Sequence, residues 1–232
     1  MNAFDSTILS FLGGFTQLSK TLNLWILVIS DNDLFKGALT MTLFWWAWNM
    51  GADEEARKRN RQTLLITLLG AFLALFLGRV LQIGLPFRPR PMNDAGLEFL
   101  LPIGTEKKME HWSSFPSDHA ALFFSLATGG WLLSRRIGLA CYAYVTLFVC
   151  FPRAFLGLHY PTDLLAGAIL GALCTLGVNR TVLRERLANP ILALAERYTA
   201  PFYAAFFFLT FQLATLFDSV RDMAKFIIKG EH

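Results

Sequence analysis

Residues 63–85 read TLLITLLGAFLALFLGRVLQIGL, and two residues later the chain reaches Arg88-Pro89-Arg90-Pro91. The run is 23 residues long and carries one charge, Arg79. At 1.5 Å per residue, a helix of that length covers the ~30 Å of bilayer hydrocarbon. A spanning helix that opens onto a proline-stiffened pair of arginines implies an all-α, polytopic membrane bundle with its polar chemistry at the helix ends.

Composition agrees. The 232 residues are 54% hydrophobic, 14% aromatic and only 16% charged, whereas a soluble domain is nearer about a quarter charged. The net charge of +4 is spread over short loops, so no basic face for nucleic acid is present. Cys141, Cys150 and Cys174 all lie in apolar runs and read as packing residues. Met1–Ser10 has no basic leader and carries Asp5, so no cleavable signal peptide is expected. One integral membrane domain over 1–232 is expected, with its core at about 33–180.

Further apolar runs cover 33–50, 119–134, 137–151, 163–178 and 201–217. The last is expected to be an extra span. Gly167 and Gly171 make a small-x-x-x-small pattern for close helix packing. Residues 1–32 read either as a first span broken at Gly13-Gly14 or as an interfacial helix. Polar loops are expected at 51–62, 135–136 and 180–186, with four, two and three Arg or Lys. If the spans alternate, these loops share one side, which the positive-inside rule makes cytoplasmic.

Three clusters then fall on the opposite side: Arg88-Pro-Arg90-Pro, Ser114-Phe-Pro-Ser117-Asp118-His119, and Arg153-x5-His159-x3-Asp163. Arginine forks match phosphate oxygens bidentately, and the free N–H groups of a helix start do the same. Ser117 also reads as a plain N-cap. His159 and Asp163 are four apart, so on one helix face Asp163 can accept from one imidazole nitrogen and leave the other free to attack. Arg153 lies on an apolar run, where a lone charge needs a partner such as a bound phosphate or Asp163. Two histidines and an aspartate also resemble a facial metal triad, but crowded arginines repel a cation and attract an anion. A lipid phosphate binder or transporter is the other rival. A transporter carries glycine-interrupted helices near mid-membrane, whereas these charges sit at helix ends.

The three clusters resemble the signature K-x6-RP, PSGH, SR-x5-H-x3-D of the type-2 phosphatidic acid phosphatase superfamily, which includes vanadium haloperoxidases. The match runs over roughly residues 79–163. The resemblance implies a six-helix core with the site at the outer surface. It implies His159 as nucleophile, Asp163 as its partner and His119 as general acid, with Arg90, Ser117 and Arg153 on the phosphate. No metal or other cofactor is expected, because arginines line the site and no spare carboxylate cluster accompanies them. Three positions depart from the pattern. Ile83 stands where the lysine belongs, with Arg79 one turn earlier and Arg88 as a second nearby cation. Asp118 replaces the glycine, and Pro152 replaces the serine before Arg153. The PSDH form is similar to bacterial undecaprenyl diphosphate phosphatases. That makes undecaprenyl diphosphate the expected substrate at the outer face of a bacterial inner membrane. Phosphatidic acid, phosphatidylglycerophosphate and lipid A present the same group. Expected substrate ligands are thus Arg79, Arg88, Arg90, Ser117, Asp118 and Arg153. The loop 92–112, with Glu106, Lys107, Lys108, Glu110 and His111, either shapes headgroup choice or is merely solvated. The bilayer and a lipid phosphate are the expected partners.

Overall fold

The computed structural model describes residues 2–97, 99–107, 112–218 and 223. Lys108, Glu110 and His111 of the long loop lie outside them. All regular structure among the described residues is helical: α1 (Ala3–Thr16), α2 (Lys20–Asp31), α3 (Leu39–Asn49), α4 (Glu54–Gly84), α5 (Asp118–Leu133), α6 (Arg135–Phe155), α7 (Pro161–Val178), α8 (Thr181–Arg197) and α9 (Thr199–Ala214). A π turn, Leu34–Ala38, leads into α3, and another, Val145–Cys150, lies within α6. Helices α4, α6 and α7 are each long and apolar enough to cross a bilayer.

Three sequence expectations change. The supposed loop 51–62 is helical from Glu54. Asp53 caps α4 by accepting from the Ala56 N–H at 2.7 Å, and Arg57 and Arg59 pair with Glu54 and Glu55 one turn back, so the charges support the helix. The basic segment 180–186 likewise opens α8, which has no long apolar run to announce it. It packs on α4, where Gln62 Nε2 donates to Asn189 Oδ1 at 2.7 Å, and its buried residues are Ala188, Leu192 and Ala195. Finally, α1 runs unbroken through Gly13-Gly14. The break comes at Gln17–Ser19, where Ser19 caps α2.

The core is α4, α5 and α7. Ten of the sixteen residues of α5 are buried, among them Ala120, Ala121 and Gly130. The Gly167/Gly171 pattern does what its spacing implies. A Cβ on Gly167 would lie 2.4 Å from the Ser117 carbonyl oxygen, and one on Gly171 2.2 Å from that of Ala121. Ser125 Oγ donates to the Gly171 carbonyl at 3.1 Å across the same seam. Because α5 and α7 lie backbone to backbone and both start at the same end, their positive dipole ends are brought side by side. The π turns at 34–38 and 145–150 face each other at this end, joined where the Tyr144 hydroxyl donates to the Phe35 carbonyl.

Gly171→Ala should therefore be far worse than Gly177→Ala, whose added carbon meets nothing within 4 Å. A backbone oxygen cannot rotate away, so the cost should approach the upper end of overpacking, about 3 kcal/mol. That corresponds to a Tm drop of roughly 6–12 °C for a chain of this size, read by thermal unfolding in detergent. Equal melting of the two variants would refute the seam.

Candidate active site

Each cluster is placed by backbone bonds to another. The Ser114 N–H donates to the Arg88 carbonyl at 2.9 Å, and Met92 N–H to the Gly157 carbonyl at 3.0 Å. Ser117 N–H donates to the Asp163 carbonyl at 3.1 Å, tying the starts of α5 and α7. After α6 the chain reverses at Gly157, with φ +68°, and Leu158 N–H returns to the Arg153 carbonyl at 2.9 Å. A side chain is excluded at Gly157 because its Cβ would lie 2.5 Å from the Phe99 ring. The reversal sets His159 over the end of α6.

These bonds enclose a cavity of about 220 Å³, and Arg79, Gln82, Arg90, Asp118, His119, Arg153 and His159 are on its wall. His159 is 5% exposed. Its Nδ1 lies 2.9 Å from the Ser114 carbonyl oxygen and 3.7 Å from Asp163 Oδ2. A carbonyl only accepts, so Nδ1 carries the proton and Nε2 keeps its lone pair. The acceptor that sets the tautomer is thus Ser114, not Asp163 as the spacing suggested, and Asp163 acts as a nearby charge. Asp163 is fully buried. Its Oδ2 also takes the Tyr160 N–H at 2.9 Å, capping α7. Burial holds the His159 imidazole below its ordinary range, partly countered by Asp163, with the cations Arg90 and Arg153 adding to the lowering.

Arg153 is 4% exposed and donates to the Val149 carbonyl at 2.8 Å. Arg90 donates to the Leu158 carbonyl at 3.2 Å. Arg79 and Asp118 form one unit with Gln82: Arg79 Nη2 to Asp118 Oδ2 is 2.8 Å, and Gln82 Nε2 to Asp118 Oδ1 is 2.8 Å. Arg79 also stacks on Trp112, 4.4 Å from the ring centroid.

Two expected ligands are elsewhere. Arg88 bonds Asp163 Oδ1 at 2.5 Å and Asp5 Oδ2 at 2.7 Å, with its plane over the Tyr160 ring. The RPRP segment explains the split between its arginines. Its prolines and the Arg90 angles of −72° and 152° are those of polyproline II, whose three residues per turn aim positions two apart in different directions. Ser117 is fully buried, and its Oγ accepts from the Ala120 N–H at 3.4 Å, so the N-cap reading describes it.

Sequence reasoning missed Gln82, Ser30 and Lys36, which also border the cavity. Lys36 pairs with Asp33 at 2.9 Å, and Ser30 Oγ is buried without a hydrogen-bond partner. Gln82 sits one turn beyond Arg79, a spacing that could have shown it; Ser30 and Lys36 come from the N-terminal region that no motif covers. In the long loop, Asp94 accepts from the Tyr160 hydroxyl at 2.6 Å. That bond lowers the Asp94 carboxyl from its ordinary value and helps burial raise the Tyr160 phenol. Among the described residues, no three His, Cys, Asp or Glu side chains gather as a metal site.

A cavity at the ends of spanning helices, walled by guanidiniums around an imidazole with an open nitrogen, defines an anion site at a membrane surface. The family model for the PAP2 superfamily matches residues 62–187, and the chain belongs to that family as a multi-pass membrane protein. It is 28% identical over 141 residues to the bacitracin transport permease protein BcrC of Bacillus licheniformis, covering 60% of this chain and 65% of that one. It is 23% identical over 139 residues to the putative undecaprenyl-diphosphatase YbjG of Escherichia coli K12, covering 60% and 63%. Both matches thus span just under two thirds of the relative. A shorter stretch of 58 residues, 25% of this chain and 26% of the relative, is 47% identical to the lipid A 4'-phosphatase of Bacteroides thetaiotaomicron. The crystal structure of the first transmembrane PAP2 type phosphatidylglycerolphosphate phosphatase from Bacillus subtilis shares the fold. It has a TM-score of 0.53 at 20% identity, over 81% of this chain and 89% of that one.

The His159 tautomer is open to test. With histidines 15N-labelled and His159→Gln for assignment, His159 should titrate below the ordinary imidazole value of about 6.5. At pH 7 its Nε2 should give the unprotonated shift and Nδ1 the protonated one. A midpoint at or above 6.5, or the reverse tautomer, would contradict the geometry.

Proposed function

We propose that the chain is a lipid phosphate phosphatase that hydrolyses undecaprenyl diphosphate to undecaprenyl phosphate and inorganic phosphate. The observation that carries the reading is His159, with Nδ1 held by Ser114 and Nε2 left for a phosphorus atom bound among Arg90 and Arg153. The guanidiniums and the paired helix starts neutralise the phosphoryl oxygens, increasingly so as charge moves onto them in the transition state. Nε2 attacks phosphorus in line, the bond to the bridging oxygen breaks, and His119 gives that oxygen a proton. The anionic headgroup supplies the negative charge that lets His119 hold this proton on a wall it shares with Arg90 and Arg153. His119 then takes a proton from water, whose oxygen attacks the phosphohistidine and releases phosphate.

The diphosphate is favoured because hydrogen-bond donors border the cavity beyond those the transferred group needs: Arg79, Gln82 and Lys36 are there as well. The PSDH form and the likeness to YbjG favour it too. The 47% local identity to a lipid A 4'-phosphatase supports lipid A as the second substrate reading. The catalytic end is assigned to the periplasmic side of an inner membrane. The supporting observation is that Arg57–Arg61, Arg135-Arg136 and Arg180–Arg186 begin α4, α6 and α8 at the opposite end, as the positive-inside rule requires.

Purified protein should release phosphate from undecaprenyl diphosphate faster than from phosphatidic acid, phosphatidylglycerophosphate or lipid A. It should do so in EDTA and be inhibited by vanadate. His159→Ala should abolish turnover yet keep lipid phosphate binding within about tenfold. His119→Ala should lose roughly 10²–10⁴-fold, less with an activated aryl phosphate that needs no protonation. Activity that needs a divalent cation, or survives in His159→Ala, would overturn the mechanism; a preference for lipid A would move only the substrate. A cysteine at the exposed position Ala95 should react with an impermeant thiol reagent on intact spheroplasts. Labelling only after lysis would invert the orientation.

A further inference from the structure

Asp5, in the first turn of α1, is fully buried. A buried carboxylate costs several kcal/mol unless it is paired and hydrogen-bonded, and Asp5 is both. Its Oδ2 takes Arg88 Nη2 at 2.7 Å and the Thr162 hydroxyl at 2.7 Å, and its Oδ1 takes the Thr162 N–H at 2.9 Å. Thr162 Oγ1 in turn accepts from Arg88 Nη1 at 2.9 Å, and the same Nη1 reaches Asp163 Oδ1. One continuous chain of bonds therefore runs from α1 through Arg88 and Thr162 to Asp163. The far oxygen of Asp163 is 3.7 Å from His159 Nδ1.

The charge count matters as much as the bonds. Arg88 with Asp163 alone would be a neutral pair. With Asp5 the trio carries one net negative charge, buried behind the imidazole. When Nε2 bonds to phosphorus its lone pair is used and the ring becomes cationic. A neutral pair would offer that charge little, whereas a net negative trio held in place before the reaction stabilises it. The other charged groups around His159 act in the opposite sense or on the phosphate: Arg90 from the loop, Arg153 from α6, Lys36 from the turn before α3 and, when protonated, His119 from α5. Asp31, at the end of α2, Asp218, beyond α9, and the Arg79–Asp118 pair also border the cavity.

We propose that Asp5 is a positioning residue for phosphoryl transfer. Through Arg88 and Thr162 it holds Asp163 beside His159 and supplies the negative charge that the Arg88–Asp163 pair lacks. This rests on His159 being the nucleophile. It also gives α1 a part in the chemistry, although α1 precedes all three motif clusters.

The test compares full-length Asp5→Asn, Asp5→Glu, Thr162→Val and His159→Ala with the parent on one lipid phosphate across pH. Asp5→Asn should lower kcat about tenfold or more, since one charge lost beside a titrating group is worth on the order of one pKa unit. KM should stay within about threefold, because Asp5 does not border the cavity. The acid limb of kcat should move to lower pH, since a less negative surround disfavours the protonated imidazole. Asp5→Glu should return the limb to its parental position. A purely structural role would lower folded yield and move neither the limb nor kcat of the folded fraction. Parental kcat and limb in folded Asp5→Asn would overturn the proposal. If Asp5→Asn does not fold, Thr162→Val carries the test. It keeps both charges and the direct Arg88 link but removes the Thr162 hydroxyl that joins Asp5 to Arg88, so kcat should fall several-fold at constant KM, and a parental kcat there would overturn the proposal. Turnover persisting in His159→Ala would instead refute the nucleophile assignment, whatever Asp5 does.

Discussion

The residue on which the site depends is Asp163. Its carboxylate caps α7 through the Tyr160 N–H, binds Arg88 and lies beside His159, while its carbonyl takes the Ser117 N–H that opens α5. Two helix starts, one loop and the imidazole thus meet on one buried residue. An ion pair whose carboxylate is fully buried gains little stability net of desolvation, yet removing its half-buried arginine partner is expensive. Such a joint tolerates few alternative packings, which is what a site that must hold an imidazole within a fraction of an ångström requires.

The glycine seam is the second constraint. Gly167 and Gly171 let α7 approach the carbonyls of Ser117 and Ala121, and this approach makes the Ser117–Asp163 bond possible. With no hydrophobic driving force between helices in lipid, such close contact does the work of a core. The same seam aligns two helix dipoles on the cavity. The electrostatics of the site therefore follow from packing several turns away from it.

Much of this was legible in the sequence. The long apolar run ending at Arg88-Pro-Arg90-Pro, the Gly-x-x-x-Gly spacing and the three clusters all rest on local periodicity or on residue types with few other uses at a helix end. What was not legible depends on direction and on partners distant in sequence. Nothing local separates Arg88 from Arg90, yet polyproline geometry turns one toward Asp163 and the other toward the cavity. Ser117 looks the same as ligand or cap until its burial is known. Asp5 and Lys36 reach the site from the N-terminal region, 158 and 127 residues before Asp163 in the sequence, and no spacing rule spans such gaps. The helix α8 escaped because its buried face is three small or aliphatic residues on an otherwise polar segment, and the polar start of α4 reads as loop until its capping and ion pairs are seen.

The departures from the family pattern are coupled rather than separate. Asp118, standing where the signature has glycine, brings a negative charge to the wall of an anion site. It is tolerable because Arg79 and Gln82 engage both of its oxygens. For the same reason Arg79 is an incomplete substitute for the absent lysine: it borders the cavity, but a partner 2.8 Å away offsets its charge. Arg79 and Asp118 together contribute a neutral, rigid rim stacked on Trp112, one that can order hydrogen-bond donors without adding attraction. The cations set against the nucleophile are then Arg90 and Arg153, which both bond the turn carrying His159, Arg90 through its guanidinium and Arg153 through its carbonyl. The side of the cavity with Arg79 and Asp118 is better suited to shaping what binds than to attracting it. That division matches a pocket that must hold one phosphoryl group tightly and accommodate the rest of a headgroup beside it.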